Sequence, residues 1–145
     1  MATCDLAYCA PQARFCTPGV SIGLFCSTPM VALSRTIAPK HAMEMLLTGD
    51  IVDAAFAARV GLVNAIVDEP DLTAHVNSLA ARIAAKSRAA VAYGKRAFSE
   101  QRVLPLAEAY AFTAGVMTRN LLDGAACEGI DAFLAKRAPQ WPGTP

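Results

Sequence analysis

At 145 residues and 15.2 kDa, the chain has the length of one domain, enough to bury roughly two thirds of the surface its unfolded form exposes. Apolar residues make up 54% and charged residues 17%, against about 45–50% and about 25% in ordinary globular domains, which excludes intrinsic disorder and a highly charged coiled coil. Thirteen basic and twelve acidic residues leave a net charge of +1, without the basic excess of a dedicated nucleic-acid module, so no nucleic-acid partner is expected.

The start, M-A-T-C-D-L-A-Y-C, has no basic n-region and puts Asp5 where a signal peptide would be apolar, so nothing directs secretion. Residues 4–9 form a short apolar run suited to a strand, and residues 13–17 suit a second one that ends at Pro18. The charge-free stretch 15–34 has the length of a bilayer span. Pro18, Gly19, Gly23 and Pro29 interrupt it, and the hydroxyls of Thr17, Ser21, Ser27 and Thr28 would be unsatisfied in lipid, so no membrane span is expected.

Beyond Gly23 the pattern turns helical. Pro29 opens a helix to about Ile37, and Pro39 sits at the first position of another, with Ala42, Met43, Leu46 and Leu47 on one side and Gly49 as its stop. Asp53 caps a short helix over 54–60 that Gly61 terminates. The β-rich stretch 62–67 reads as a strand, ended by Asp68, Glu69 and Pro70. Four helices follow, over 71–86, 89–101, from Pro105 to about Leu121, and over 128–136, before a tail with Pro139, Trp141, Pro142 and Pro145 that cannot continue a helix. Two or three short strands cannot make a self-sufficient sheet. The inventory is that of the end of something larger.

Five cysteines, at 4, 9, 16, 26 and 127, are an odd number with no C-x-x-C pair. They fit neither a disulfide framework nor a zinc site and read as free thiols in a reducing compartment. Asp5, Glu44, Asp50, Glu128 and Asp131 read as helix caps or solvated charges.

Three stretches carry a resemblance. C-D-L-A-Y-C-A-P-Q-A-R-F-C-T-P-G-V-S-I-G-L at 4–24, A-M-E-M-L-L-T-G-D-I-V-D-A-A-F-A-A-R-V-G-L-V-N-A-I-V at 42–67 and E-G-I-D-A-F-L-A-K-R at 128–137 resemble the crotonase superfamily of enoyl-CoA hydratases and isomerases. The middle stretch is the most specific, and its T-G-D and G-L-V-N positions read as backbone devices rather than catalytic groups. The resemblance implies an α/β fold: the C-terminal part of a crotonase-like spiral, mainly helical here. Residues 1–67 would end the spiral core, and 68–145 would form a helical oligomerisation segment. It implies an intracellular protein of fatty acyl-CoA metabolism, mitochondrial for a full-length member, with the cytoplasm as the alternative.

The chemistry of that family sets what the chain should contain. Its members polarise an acyl-CoA carbonyl with two backbone N–H groups, an oxyanion hole, and its hydratases use two glutamates to activate water and deliver a proton. On the resemblance, the first glutamate and the oxyanion glycine belong a few residues ahead of Cys4 and Asp5, outside this sequence. The second glutamate follows the proline after A-R-F, where this sequence has Gly19 after Pro18. The glycine-rich loop that follows is replaced by F-C-S-T-P-M-V-A-L-S. Cys16, Cys26 and Ser27 lie nearby, but no histidine is close in sequence to activate a nucleophile. No catalytic residue is therefore assigned.

The family's last helix sends an aromatic and a lysine to CoA, often across a subunit boundary, and the matching residues are Phe133 and Lys136. Their three-residue spacing places both on one helical face, and a lysine suits a doubly anionic phosphate. The alternative is that Phe133 is core and Lys136 is solvated. The expected ligand is an acyl-CoA thioester, with no other cofactor and no metal. The expected assembly is a trimer or hexamer, or association with full-length relatives, and the competing reading is a non-catalytic oligomerisation or partner module derived from a crotonase.

Overall fold

The computed structural model describes residues 1–142, so Pro145 of the expected tail lies outside the described residues. Among the described residues, four strands of two residues each, β1 (Tyr8–Cys9), β2 (Arg14–Phe15), β3 (Val52–Asp53) and β4 (Ala65–Ile66), lie in the first half of the chain, and seven α-helices run between and after them. The helices are α1 (Ser27–Thr36), α2 (Pro39–Thr48), α3 (Ala54–Arg59), α4 (Glu69–Ala84), α5 (Arg88–Gln101), α6 (Leu106–Leu121) and α7 (Gly124–Leu134). Compact packing divides the chain within α4 into a first unit, Met1–Leu79, and a second from Ala80 onward.

In the first unit the local signals place the helices well. Pro39 opens α2 and Gly49 closes it in the left-handed region at φ 69°. The Asp53 carboxylate accepts the Phe56 N–H at 2.7 Å, capping α3, and Gly61 follows at φ 81°. α1 begins at Ser27, two residues before the expected Pro29, because proline in a first turn has no N–H to leave unpaired. Pro70 acts likewise inside the first turn of α4, which starts at Glu69 rather than Asp71.

The strands are shorter than the apolar runs suggest, since each ladder extends only as far as its partner. β1 pairs in parallel with β4, Tyr8 opposite Ala65, and β2 pairs antiparallel with β3, Phe15 opposite Val52. Asn64 extends the first ladder: its Oδ1 accepts the Ala7 N–H at 2.7 Å, and its own N–H returns to the Ala7 carbonyl, also at 2.7 Å. Leu62 and Val63, expected in that strand, instead donate their N–H groups to the Ala57 carbonyl in the turn after α3. Both are buried there. The core of this unit collects Leu33 from α1 and Ile37 just after it, Ala42, Met45 and Leu46 from α2, Ala54 and Ala57 from α3, and Cys9.

The second unit has a different interior. α5, α6 and α7 pack on one another, yet the buried apolar residues here are alanines, at 97, 109, 125 and 132. The large apolar side chains Leu106, Tyr110, Met117, Leu122, Phe133 and Leu134 are exposed. α7 starts at Gly124, four residues before the expected position, because Asp123 caps it by accepting the Ala125 N–H at 3.0 Å. It ends at Leu134, before the expected Lys136.

Candidate functional site

Gly19, which the resemblance matches to the family's glutamate position, is held in a tight backbone knot. Thr17 is buried and its hydroxyl donates to the Met45 carbonyl at 2.8 Å, fixing the chain entering a 3-10 turn, Pro18–Ile22. Gly23, at φ 79°, reverses the chain, and the Leu24 N–H returns to the Gly19 carbonyl at 2.9 Å. The Gly19 N–H points to the Cys26 sulfur, 3.3 Å away. A Cβ at position 19 would stand 2.3 Å from the Leu24 carbonyl oxygen and 2.8 Å from the Cys26 Sγ. The backbone itself therefore fills the space a side chain would need.

Gly49 supports the same knot from below. Its Cβ would lie 3.0 Å from the Val20 side chain and 3.3 Å from the Pro18 Cα. The glycine of T-G-D thus both stops α2 and lets the 3-10 turn settle onto that helix end, as its reading as a backbone device requires.

The hydroxyl and imidazole groups that a substitute nucleophile would draw on have other partners. Ser27 donates its hydroxyl to the Phe25 carbonyl at a long 3.4 Å. His41 lies edge-on to Phe56 with ring centroids 5.8 Å apart and has Glu44 3.8 Å away, while His75 packs on Tyr8 at 4.8 Å. Both histidines thus contact aromatic rings or a carboxylate. Burial pushes the Cys9 thiol up, away from thiolate chemistry. All five cysteines are free, and among the described residues no group of three His, Cys, Asp or Glu could hold a metal ion.

The two residues matched to CoA contacts behave unequally. Phe133 lies in the last turn of α7 and is 82% exposed, so the core alternative does not hold for this chain. Lys136 lies beyond the helix at φ 52°, a left-handed conformation rare for a residue with a Cβ. The expectation that both share one helical face is overturned: the Lys136 N–H bonds to the Phe133 carbonyl and the Arg137 N–H to the Ala132 carbonyl, the paired bonds that terminate a helix.

Glu128, read from sequence as a cap or solvated charge, organises the tail instead. Its carboxylate accepts the Arg137 guanidinium at 2.6 and 2.9 Å and the Gln140 N–H at 2.6 Å. The Arg137 bonds, with the Gln140 N–H behind them, hold this carboxyl down at about 2. The sequence offered little sign of this, because a contact nine residues apart follows no helical spacing. Asp123 as a cap is the signal that could have started α7 at its true position.

A family model described as enoyl-CoA hydratase/isomerase matches residues 1–144 of the chain. The mitochondrial enoyl-CoA hydratase domain-containing protein 3 of Xenopus laevis is 43% identical over 141 residues, which cover 97% of this chain and 48% of the relative. Among solved structures, an enoyl-CoA hydratase of Mycobacterium smegmatis matches with a TM-score of 0.93 at 46% identity, over 97% of this chain and 55% of that one. The human enoyl-CoA hydratase domain-containing protein 3 also gives 0.93, at 44% identity and with the same coverage. These matches bear out the expected crotonase-like α/β fold. The chain spans about half the length of the curated relatives it matches.

Proposed function

The chain belongs to the enoyl-CoA hydratase/isomerase family, and on that premise we propose that it binds the nucleotide end of an acyl-CoA thioester without itself hydrating the double bond. The observation that carries the second half is Gly19. Hydration in this family needs a protonated carboxyl group there to deliver a proton, and losing a positioned acid or base costs around a hundred- to ten-thousand-fold. Here the position has no side chain, and the Leu24 carbonyl and Cys26 sulfur stand where one would begin.

Lys136 and Phe133 support retained affinity for the nucleotide. Phe133 is open to solvent on α7 and offers an aromatic face, and Lys136 offers a mobile positive charge to a phosphate. Relatives named mitochondrial favour a mitochondrial location in fatty acyl-CoA metabolism.

A second reading, a non-catalytic assembly module, is favoured by the exposed apolar side chains of the second unit, which a trimer, a pair of trimers or a full-length relative would cover.

Two measurements test these readings. An absorbance assay with crotonyl-CoA is expected to show no hydration above the solution background, and turnover proportional to protein would overturn the first. Calorimetry of 3′-phospho-ADP is expected to give binding that weakens with salt and is lost in Lys136→Ala. Equal binding by both chains would remove Lys136 from the site, and no binding by the folded native chain would leave the assembly reading alone.

A further inference from the structure

The segment after α7 is tied down by more contacts than a terminal tail requires. Glu128 holds it through both nitrogens of the Arg137 fork and through the Gln140 N–H. Trp141 then donates its indole N–H to the Ala85 carbonyl at 2.9 Å. The ring lies against Gly129, where a Cβ would come within 3.3 Å of the indole. The indole forms one wall of a cavity of about 310 Å³ between α5, α6 and α7, whose other walls include Ala90, Ala125, Ile130, Phe133 and Leu134. Trp141 is the one tryptophan in the sequence.

We propose that residues 136–141 form a latched strap, with Glu128 as the latch, Gly129 as the seat and the Trp141 indole as a lid over this apolar cavity. Lys136, at φ 52°, turns the chain back from α7 so that Arg137 reaches Glu128. Gly129 leaves the ring room to lie on the helix, and the indole N–H, which would be costly to bury alone, finds a backbone acceptor. The E-G pair of the motif at 128–137 thereby acquires a role of its own: the glutamate holds the strap and the glycine receives its aromatic end. Releasing the latch would lift the indole from Gly129 and from the wall it forms, opening the cavity further on that side. The strap shares Lys136 and Phe133 with the proposed nucleotide site, but its fluorescence test reads contacts the chain makes with itself and needs no CoA.

Because there is a single tryptophan, its fluorescence reports the lid directly. In Glu128→Gln and Arg137→Ala the 145-residue chain should keep its far-UV helicity while Trp141 emission shifts to the red. Its quenching by acrylamide should rise roughly two- to fivefold, the scale on which an exposed ion pair biases an equilibrium. Binding of 8-anilinonaphthalene-1-sulfonate, a probe of exposed apolar surface, should rise in parallel. Gly129→Leu should reproduce the red shift with the ion pair intact. Native emission already at the solvent-exposed limit, or no change in any of the three variants, would overturn the proposal. Should Glu128→Gln lose helicity, Arg137→Ala, which alters a residue outside α7, decides alone.

Discussion

Gly19 sits in a space its own loop already fills, and the consequence can be measured. Gly19→Ala forces a Cβ to within 2.3 Å of the Leu24 carbonyl, so the 3-10 turn or the residue 24–26 segment must move. The expected loss of stability is about 1–3 kcal/mol, as for other overpacked sites, read from urea midpoints. Gly19→Glu restores the family's carboxyl in name only, and should be destabilised without gaining hydration of crotonyl-CoA. A stable, active Gly19→Glu would show that the loop yields freely. Lys136 poses the opposite case. A left-handed conformation costs a residue with a Cβ about 1–2 kcal/mol, and glycine carries no such penalty. Lys136→Gly should therefore raise the melting temperature, while Lys136→Ala should not. If Lys136 also meets phosphate, both variants lose 3′-phospho-ADP binding, so a stabilised but non-binding Lys136→Gly separates backbone strain from ligand contact.

Among the elements, α7 and its tail depend most on one charge. Glu128 is held at about 2 in the folded chain, against an ordinary carboxyl value of 4.5. A depressed folded value means that the folded state prefers the ionised form, so this stabilisation is fully present above about pH 4.5. It fades as pH falls and is gone below about pH 2. Thermal melts across that window should show a pH-dependent decline that is smaller in Glu128→Gln, and parallel curves would contradict it. The same element shows where sequence reasoning reaches its limit. Helix ends marked by one residue with one job, Pro39, Gly49, Asp53 and Gly61, were legible because a fixed φ or a short carboxylate acts locally. The start of α7 is not legible because Asp123 precedes a run without an obvious apolar stripe, nor is its end, because Lys136 adopts a conformation usually left to glycine. The strands are shorter than their apolar runs because an apolar run cannot reveal how short its partner is. Leu62 and Val63 satisfy burial in a turn as well as in a ladder. At the site, the matching of Gly19 to a glutamate position is legible by resemblance. That the space is also closed is not, since it depends on where Leu24 and Cys26 return.

For the molecule as a whole, the crotonase-like α/β class was carried by the three motifs, which composition and periodicity alone would not have given. What composition could not anticipate is how differently the two units bury their residues. The first has a core of leucine, isoleucine, methionine and valine, whereas the second buries alanines and leaves its large apolar side chains outside. Such a surface favours association, so light scattering at micromolar concentration should report a mass above 15.2 kDa. A monodisperse monomer would contradict this. The reciprocal bonds between Ala7 and Asn64 carry a further consequence, for the order of events in folding. They join residues 57 apart in sequence, so the first unit must close a long loop before its parallel ladder forms, whereas α5 and α6 meet through a short connection. Loop closure of that span is slow compared with local helix pairing. The helical unit should therefore acquire its contacts early, while the segment carrying Gly19 waits for closure and stays open to proteases and to neighbouring chains for longest on the way to the native state.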